Sequence, residues 1–437
     1  METLAARRRD LAAPAAAMAA LTLTAAIGWA LTAALEPRAF ESWLGVPNPP
    51  LFLTWRPQLE LGALAAAVAL AAGVASAPLL VDRRVGPVRF ALGAFSLGLA
   101  LRLVLATARG GVDAWTAPFG APLRGGNEYL PALPGIEGLG LATYLDRFVE
   151  IMPTLPVHPS AHPPGTIVLL HLLGIDAAGG MAALTIVSGV TTVPLTYVLG
   201  RLLLAERHAR VAALLLVFSP AALIYGVTSA DAMFAMLGLV AAVVLVTDGR
   251  LARPLGAAAL TLASLFSWAL LAVGAWAAAL AALRRGPGSA LRLAAWCAAV
   301  LVGIYGLLAA LTGFDPIGAL GAAGELYRRG YSDDRPYWYW IVGSPAAFLI
   351  SVGLPITWFA VRAVAARHAP ALTLAGIIAV AAVLGFSKAE TERIWLFMGP
   401  LACVAAAPFV SERRLKLVLG LLAAQALATE LLFFTVW

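Results

Sequence analysis

Two histidines four residues apart, in His158-Pro159-Ser160-Ala161-His162-Pro163-Pro164-Gly165, are the sharpest local feature of the chain. Imidazoles can ligate a metal, carry a proton or contact a phosphate. Proline at 159, 163 and 164 opposes the helix that usually presents a metal-binding pair, so a site using both histidines is the weaker reading. The Pro-Pro step instead fixes an extended approach to a helix starting at Gly165, with His162 held rigidly ahead of it. Upstream, Asp113 follows Gly110-Gly111 just past an apolar run, where a carboxylate is costly unless used or paired. Such a carboxylate could accept a proton from a hydroxyl. Far downstream, Ser387-Lys388-Ala389-Glu390-Thr391-Glu392-Arg393 sets two cations between apolar runs. Lys388 and Arg393 could face an anion such as a lipid phosphate, or be neutralised by Glu390 and Glu392. Arg102, inside an apolar run, could snorkel to the interface or bind such a phosphate. Asp231 lies at a tight turn in Thr228-Ser229-Ala230-Asp231.

The elements that must position these groups are membrane spans. Hydrophobic residues make up 61% of the 437 and charged residues only 12%, about half the charge of an ordinary globular protein, at roughly 25%. The apolar runs are of about the length needed to cross a bilayer core of roughly 30 Å. An all-α polytopic membrane protein follows, one integral-membrane domain over 1–437, and a soluble fold is excluded. Runs at 11–35, 58–81, 89–108, 181–203, 209–227, 229–247, 253–267, 269–284, 291–312, 339–362, 371–387, 395–410 and 415–435 predict about thirteen spans. The first is too long for a signal-peptide core and reads as a retained helix.

Basic clusters set the orientation. Arg7-Arg8-Arg9, Arg83-Arg84, Arg201 to Arg210, Arg284-Arg285, Arg362 with Arg367, and Arg413-Arg414 all fall on one side if thirteen crossings are made. The positive-inside rule then places the N-terminus in the cytoplasm and the C-terminus, at Trp437, outside. Two long extracytoplasmic loops result, 109–164 and 313–338. The first carries Asp113, Arg124, Glu128, His158 and His162 among aromatics; the second carries Asp333-Asp334-Arg335 and the run Tyr337-Trp338-Tyr339-Trp340, which reads as an interfacial belt. Segment 165–174 is too short to span, so an interfacial or re-entrant helix is expected.

Other classes are disfavoured. The net charge of +7 is explained by the topology signal, with no nucleic-acid partner. Cys297 and Cys403 sit inside apolar runs, which opposes a disulfide framework. No internal repeat suggests a transporter of two equivalent halves, and no string of buried charges in the spans suggests an ion-coupled pump. A lipid phosphatase would need clustered Arg/His/Ser motifs that are absent.

The chain resembles the GT-C superfamily of integral-membrane glycosyltransferases, in the branch of protein O-mannosyltransferases and aminoarabinose transferases. The matching stretch is His162-Pro-Pro-Gly165 and its apolar helix, Thr192-Val-Pro-Leu-Thr-Tyr-Val-Leu-Gly-Arg201, Ala212 to Ser219-Pro220, and Asp231 opening the next span. It covers about 108–285. The resemblance implies a GT-C-like fold with two extra N-terminal spans in 1–88. It also implies transfer of a sugar from a polyprenyl-phosphate donor to a cell-envelope glycan, lipid or protein acceptor on the extracytoplasmic face of the cell membrane. Asp113 matches by position the acidic residue of the first outer loop, although the usual acidic pair is replaced by Asp113-Ala114-Trp115. His162 matches the histidine before Pro-Pro. The expected set is Asp113 and Glu128 as catalytic carboxylates, with His162, Lys388, Arg393, Arg102 and Asp231 binding substrate among membrane lipids. A divalent cation, Mg or Mn, bridging the phosphate to Asp113 or Glu128 is compatible with this chemistry but not required. The rival is a lipid-linked sugar transporter or flippase without transferase activity, which would need a polar path through its spans.

Overall fold

The computed structural model describes residues 2–35, 44–82, 84–120, 125–333 and 335–435. Arg83, Arg124, Asp334 and Trp437, named above, lie outside the described residues. The chain is 81% helical, as its long apolar runs require, and it is a multi-pass membrane protein. Among the described residues, seven helices are long and apolar enough to cross a membrane. They include Leu61–Leu80, Pro87–Ala106, Ala178–Leu203, Pro287–Thr312 and Glu412–Leu432. Two bent pairs raise the number to nine if each pair is one span.

The bends have local causes. Ser219 and Pro220 interrupt the run 209–227, giving Glu206–Phe218 and Pro220–Thr228 at 60°. Proline at the first position of the second helix leaves no amide to continue the first. Gly353, at φ 121°, divides 339–362 into Tyr337–Ser351 and Leu354–Ala365 at 115°. Asp231–Val246 and Ala369–Leu384 have only 16 residues each, and 395–410 is broken into shorter helical pieces.

The chain divides into two compact units: Met1–Ala114 with Ile186–Met236 and Asp334–Val436, and Trp115–Thr185 with Leu237–Asp333. In the first, Leu61–Leu80 packs on Pro87–Ala106 and Glu412–Leu432. A short antiparallel ribbon pairs Leu53–Trp55 with Phe433–Thr435, Leu53 opposite Thr435. In the second, Pro287–Thr312 packs on Ala252–Ser264 and Leu271–Arg285.

Both long segments expected as loops are mostly short helices. The described residues of segment 109–164 fold as successive turns of three to seven residues, among them Leu133–Leu139 and Leu141–Asp146. Proline begins several of these turns, and Gly140, at φ 75°, separates two of them. Segment 313–338 contains Pro316–Tyr327, whose N-cap Asp315 accepts from the amides of Ile317 and Gly318 at 3.0 and 2.8 Å. The aromatic run is only half an interfacial belt. Tyr337 and Trp338 are exposed, whereas Tyr339 and Trp340 are buried with Leu44, Val46 and Ala389. The Trp340 indole donates to the carbonyl of Leu44 at 3.1 Å. Helical periodicity turns half of a four-residue run inward.

Candidate functional site

In the second unit, consecutive residues of one segment meet the two histidines of another. Glu128 Oε1 lies 3.1 Å from His158 Nδ1, and the Tyr129 hydroxyl lies 2.6 Å from His162 Nδ1. The Tyr129 and His162 rings are near parallel, at 17° with centroids 6.2 Å apart. Glu128 is 2% exposed and His158 7%; His162 is half-buried. Glu128 Oε2 is buried and has no hydrogen-bond partner in the structure. A carboxylate oxygen at Nδ1 accepts the hydrogen of that nitrogen, the tautomer that leaves the ring's lone pair on Nε2.

Local sequence builds this arrangement. His158 sits in the single turn Val157–Ser160, which Pro159 does not prevent because only a helix interior loses a bond to proline. Pro164 is the N-cap of Gly165–Leu173, and Gly174, at φ 63°, ends it. The expected short helix after Pro-Pro is therefore present. The Gly165 amide donates to the carbonyl of Leu265 at 3.0 Å. A Cβ on residue 165 would overlap that same carbonyl oxygen, so only glycine allows the approach. Among the described residues no group of three or more His, Cys, Asp or Glu could hold a metal ion.

Asp113 belongs to the first unit. It is exposed, on the short helical turn Gly111–Trp115 after Pro87–Ala106, so the expected boundary carboxylate is reachable from solvent.

The polar island 387–393 is a buried ion network in the same unit. Arg393 Nη1 donates to Asp231 Oδ2 at 2.6 Å and Nη2 to Glu390 Oε2 at 3.0 Å. Arg335 reaches Glu390 Oε1 at 3.1 Å and the Lys388 carbonyl at 2.6 Å, and Lys388 Nζ returns a bond to the Arg335 carbonyl at 3.0 Å. The Ser229 hydroxyl donates to Asp231 at 2.6 Å. Ser344 bonds both ends of the island, through the Ser387 carbonyl and the Thr391 hydroxyl. Ala389 and Glu390 are held at φ 66° and 58°, a conformation costly for non-glycine residues.

Arg393, expected to face a lipid phosphate or to be neutralised by Glu390 and Glu392, is buried against two carboxylates, Asp231 and Glu390. Glu392 is also buried; its Oε1 accepts from the Phe52 amide at 2.8 Å. Burial, reinforced by neighbouring Glu390, raises its pKa to about 7.

Arg102 does not snorkel. It is 1% exposed and donates from Nε to the Ala222 carbonyl at 2.8 Å, beside a cavity of about 10 Å³, room for at most one water. Glycine at 226 leaves space for the guanidinium, since a Cβ there would stand 3.1 Å from Nε.

The sequence marks Glu128, His158 and His162 but not their pairing, and it does not single out Tyr129. The i, i+4 spacing of His158 and His162 opposite the adjacent pair Glu128-Tyr129 is the signal that could have found them. Comparison with known protein families, with curated proteins and with solved structures finds no match.

Proposed function

We propose that this membrane protein is a glycosyltransferase that moves a sugar from a polyprenyl-phosphate donor to a hydroxyl of a cell-envelope acceptor. The observation that carries the reading is the meeting of Glu128-Tyr129 with His158 and His162. It ties Tyr129 to His162 of the His-Pro-Pro-Gly element on which the GT-C resemblance rests, and it sets the Glu128 carboxylate on His158, four residues before that element. In this reading His158 Nε2 takes the proton of the acceptor hydroxyl as its oxygen attacks the anomeric carbon. The bond from that carbon to the phosphate oxygen breaks, and polyprenyl phosphate leaves. Glu128 orients the imidazole and stabilises the imidazolium that forms, as carboxylates do in acid–base dyads. His162, held by Tyr129, contacts the donor phosphate. Asp113 is the competing base, favoured by its place in the chain and its exposure. Thirteen crossings, a cytoplasmic N-terminus and an extracytoplasmic reaction belong to the same reading, supported by the distribution of arginines. The test is release of polyprenyl phosphate from defined donors, followed by mass spectrometry.

A second reading, a lipid-linked sugar transporter, is favoured by one observation: the buried Arg102 and the Asp231–Arg393 pair give the first unit a polar interior. Intramembrane charge of this kind often marks a translocation path. Movement of the intact lipid-linked sugar across a vesicle membrane without cleavage distinguishes it.

A further inference from the structure

At one end of the first unit, a cavity of about 590 Å³ lies where Leu61–Leu80 ends and Glu206–Phe218 and Glu412–Leu432 begin. We propose that it binds the headgroup of a primary-amine phospholipid, that is, an ethanolamine-type amino-phosphate. This site is independent of the transferase reading.

The cavity walls carry both signs of charge: Asp82, Glu206 and Glu412 against Arg207, Arg210 and Lys416. Arg210 is already committed. Its Nε donates to Glu206 at 2.6 Å, Nη1 to the carbonyls of Leu80 and Asp82 at 3.1 and 2.8 Å, and Nη2 to that of Val85 at 2.7 Å. It closes the end of the Leu61–Leu80 helix, satisfying carbonyls that the helix leaves open, and makes a fixed wall. Glu206 is likewise bound by Tyr197 and Arg210.

The remaining charges are uncommitted to one another. Arg207 Nη2 is buried and has no acceptor in the structure. Glu412 and Lys416 stand four residues apart in the order that favours a helix ion pair. Both line the cavity, yet no ion pair joins them among the described residues. A lone phosphate would meet Asp82 and Glu412 as well as the cations, and a lone amine would meet Arg207 and Lys416. An amino-phosphate satisfies both: its phosphate goes to Arg207 and Lys416, its ammonium to Glu412 and Asp82. Pro78, Leu79, Val81 and Leu415 complete the lining, and Leu79 is 70% exposed on a membrane-spanning helix. An acyl chain can therefore leave along an apolar surface, which favours a lipid over a soluble ligand.

The test uses the full-length protein, delipidated in detergent, titrated with short-chain phosphatidylethanolamine, phosphatidylglycerol, phosphatidylcholine and soluble phosphoethanolamine, with bound copies counted by native mass spectrometry. One phosphatidylethanolamine should bind at least roughly tenfold more tightly than the other three, one good charge-assisted contact's worth. Arg207→Gln with Lys416→Gln should weaken it by a further order of magnitude or more. Glu412→Gln should remove the preference over phosphatidylglycerol. Equal binding of the ethanolamine and glycerol lipids by the unaltered protein would overturn the proposal, without reliance on any variant. So would full binding by the double variant at an unchanged melting temperature. Equally tight binding of soluble phosphoethanolamine would contradict the lipid assignment.

Discussion

Glu128 Oε1 stands 3.1 Å from His158 Nδ1, thirty residues along the chain, with both side chains withdrawn from solvent. A buried carboxylate beside an imidazole fixes its tautomer and orientation.

Glu128→Gln keeps the shape of the side chain and removes its charge. Because general-base catalysis contributes about 10² to 10⁴ in rate, turnover should fall by that order while the melting temperature changes little. His158→Ala should fall similarly, and the two losses should not add, since the residues act as one unit. Asp113→Asn should leave turnover near normal. A dead Asp113→Asn beside an active Glu128→Gln would transfer the base to Asp113.

The Asp231–Arg393 pair predicts a stability effect with a definite sign. Removing one member of a buried pair strands the other, typically at a cost of about 3–5 kcal/mol. Arg393→Met should therefore lower the melting temperature strongly, and Asp231→Asn with Arg393→Met should recover part of the loss. Thermal unfolding in detergent measures both; an unchanged Arg393→Met protein would show that the pair is not structural.

Glu392 makes stability depend on pH. Its folded pKa, about 7, lies above the ordinary carboxyl value, so between about 4.5 and 7 the folded state binds more protons than the unfolded one. Its contribution is present at the acidic end and lost as pH rises through 7, up to roughly 3 kcal/mol across that window. Melting temperatures of the wild type should fall from pH 5 to pH 8 relative to Glu392→Gln. Parallel curves for the two proteins would contradict the assignment.

Gly165→Ala tests how the motif is anchored. An alanine Cβ must displace the Leu265 carbonyl, a strain of about 1–3 kcal/mol by analogy with overpacked cores. Proteolysis of the 109–164 segment should quicken, and transfer activity should drop with it. An unaltered digestion pattern would show that the close approach is dispensable.

Much of this architecture was legible, and the failures share a cause. Uninterrupted apolar runs such as 291–312 mark long helices reliably because only a helix satisfies its backbone inside a membrane. Run length is blind to bends, so 209–227 and 339–362 read as straight spans although Pro220 and Gly353 stand within them. Glu128 and His162 were visible as chemistry-bearing residues, but the contacts that give them a use join segments thirty residues apart. Arg393 and Asp231 are 162 residues apart; no local pattern pairs them, so Arg393 reads as facing a phosphate or as neutralised by its neighbours Glu390 and Glu392, and Asp231 as a turn residue that binds substrate. Arg102 reads as snorkelling or as binding a lipid phosphate because the space beside Gly226 that admits its guanidinium comes from a distant helix.

Donor cleavage separates a transferase from a transporter most directly. Purified protein in lipid vesicles, given polyprenyl-phosphate sugars one by one with envelope glycan or peptide acceptors, should release free polyprenyl phosphate from at least one donor. Mass spectrometry should show that release fall at least about a hundredfold in Glu128→Gln. Intact donor throughout, with lipid-linked sugar instead appearing on the opposite leaflet, would contradict the transferase and establish the transporter.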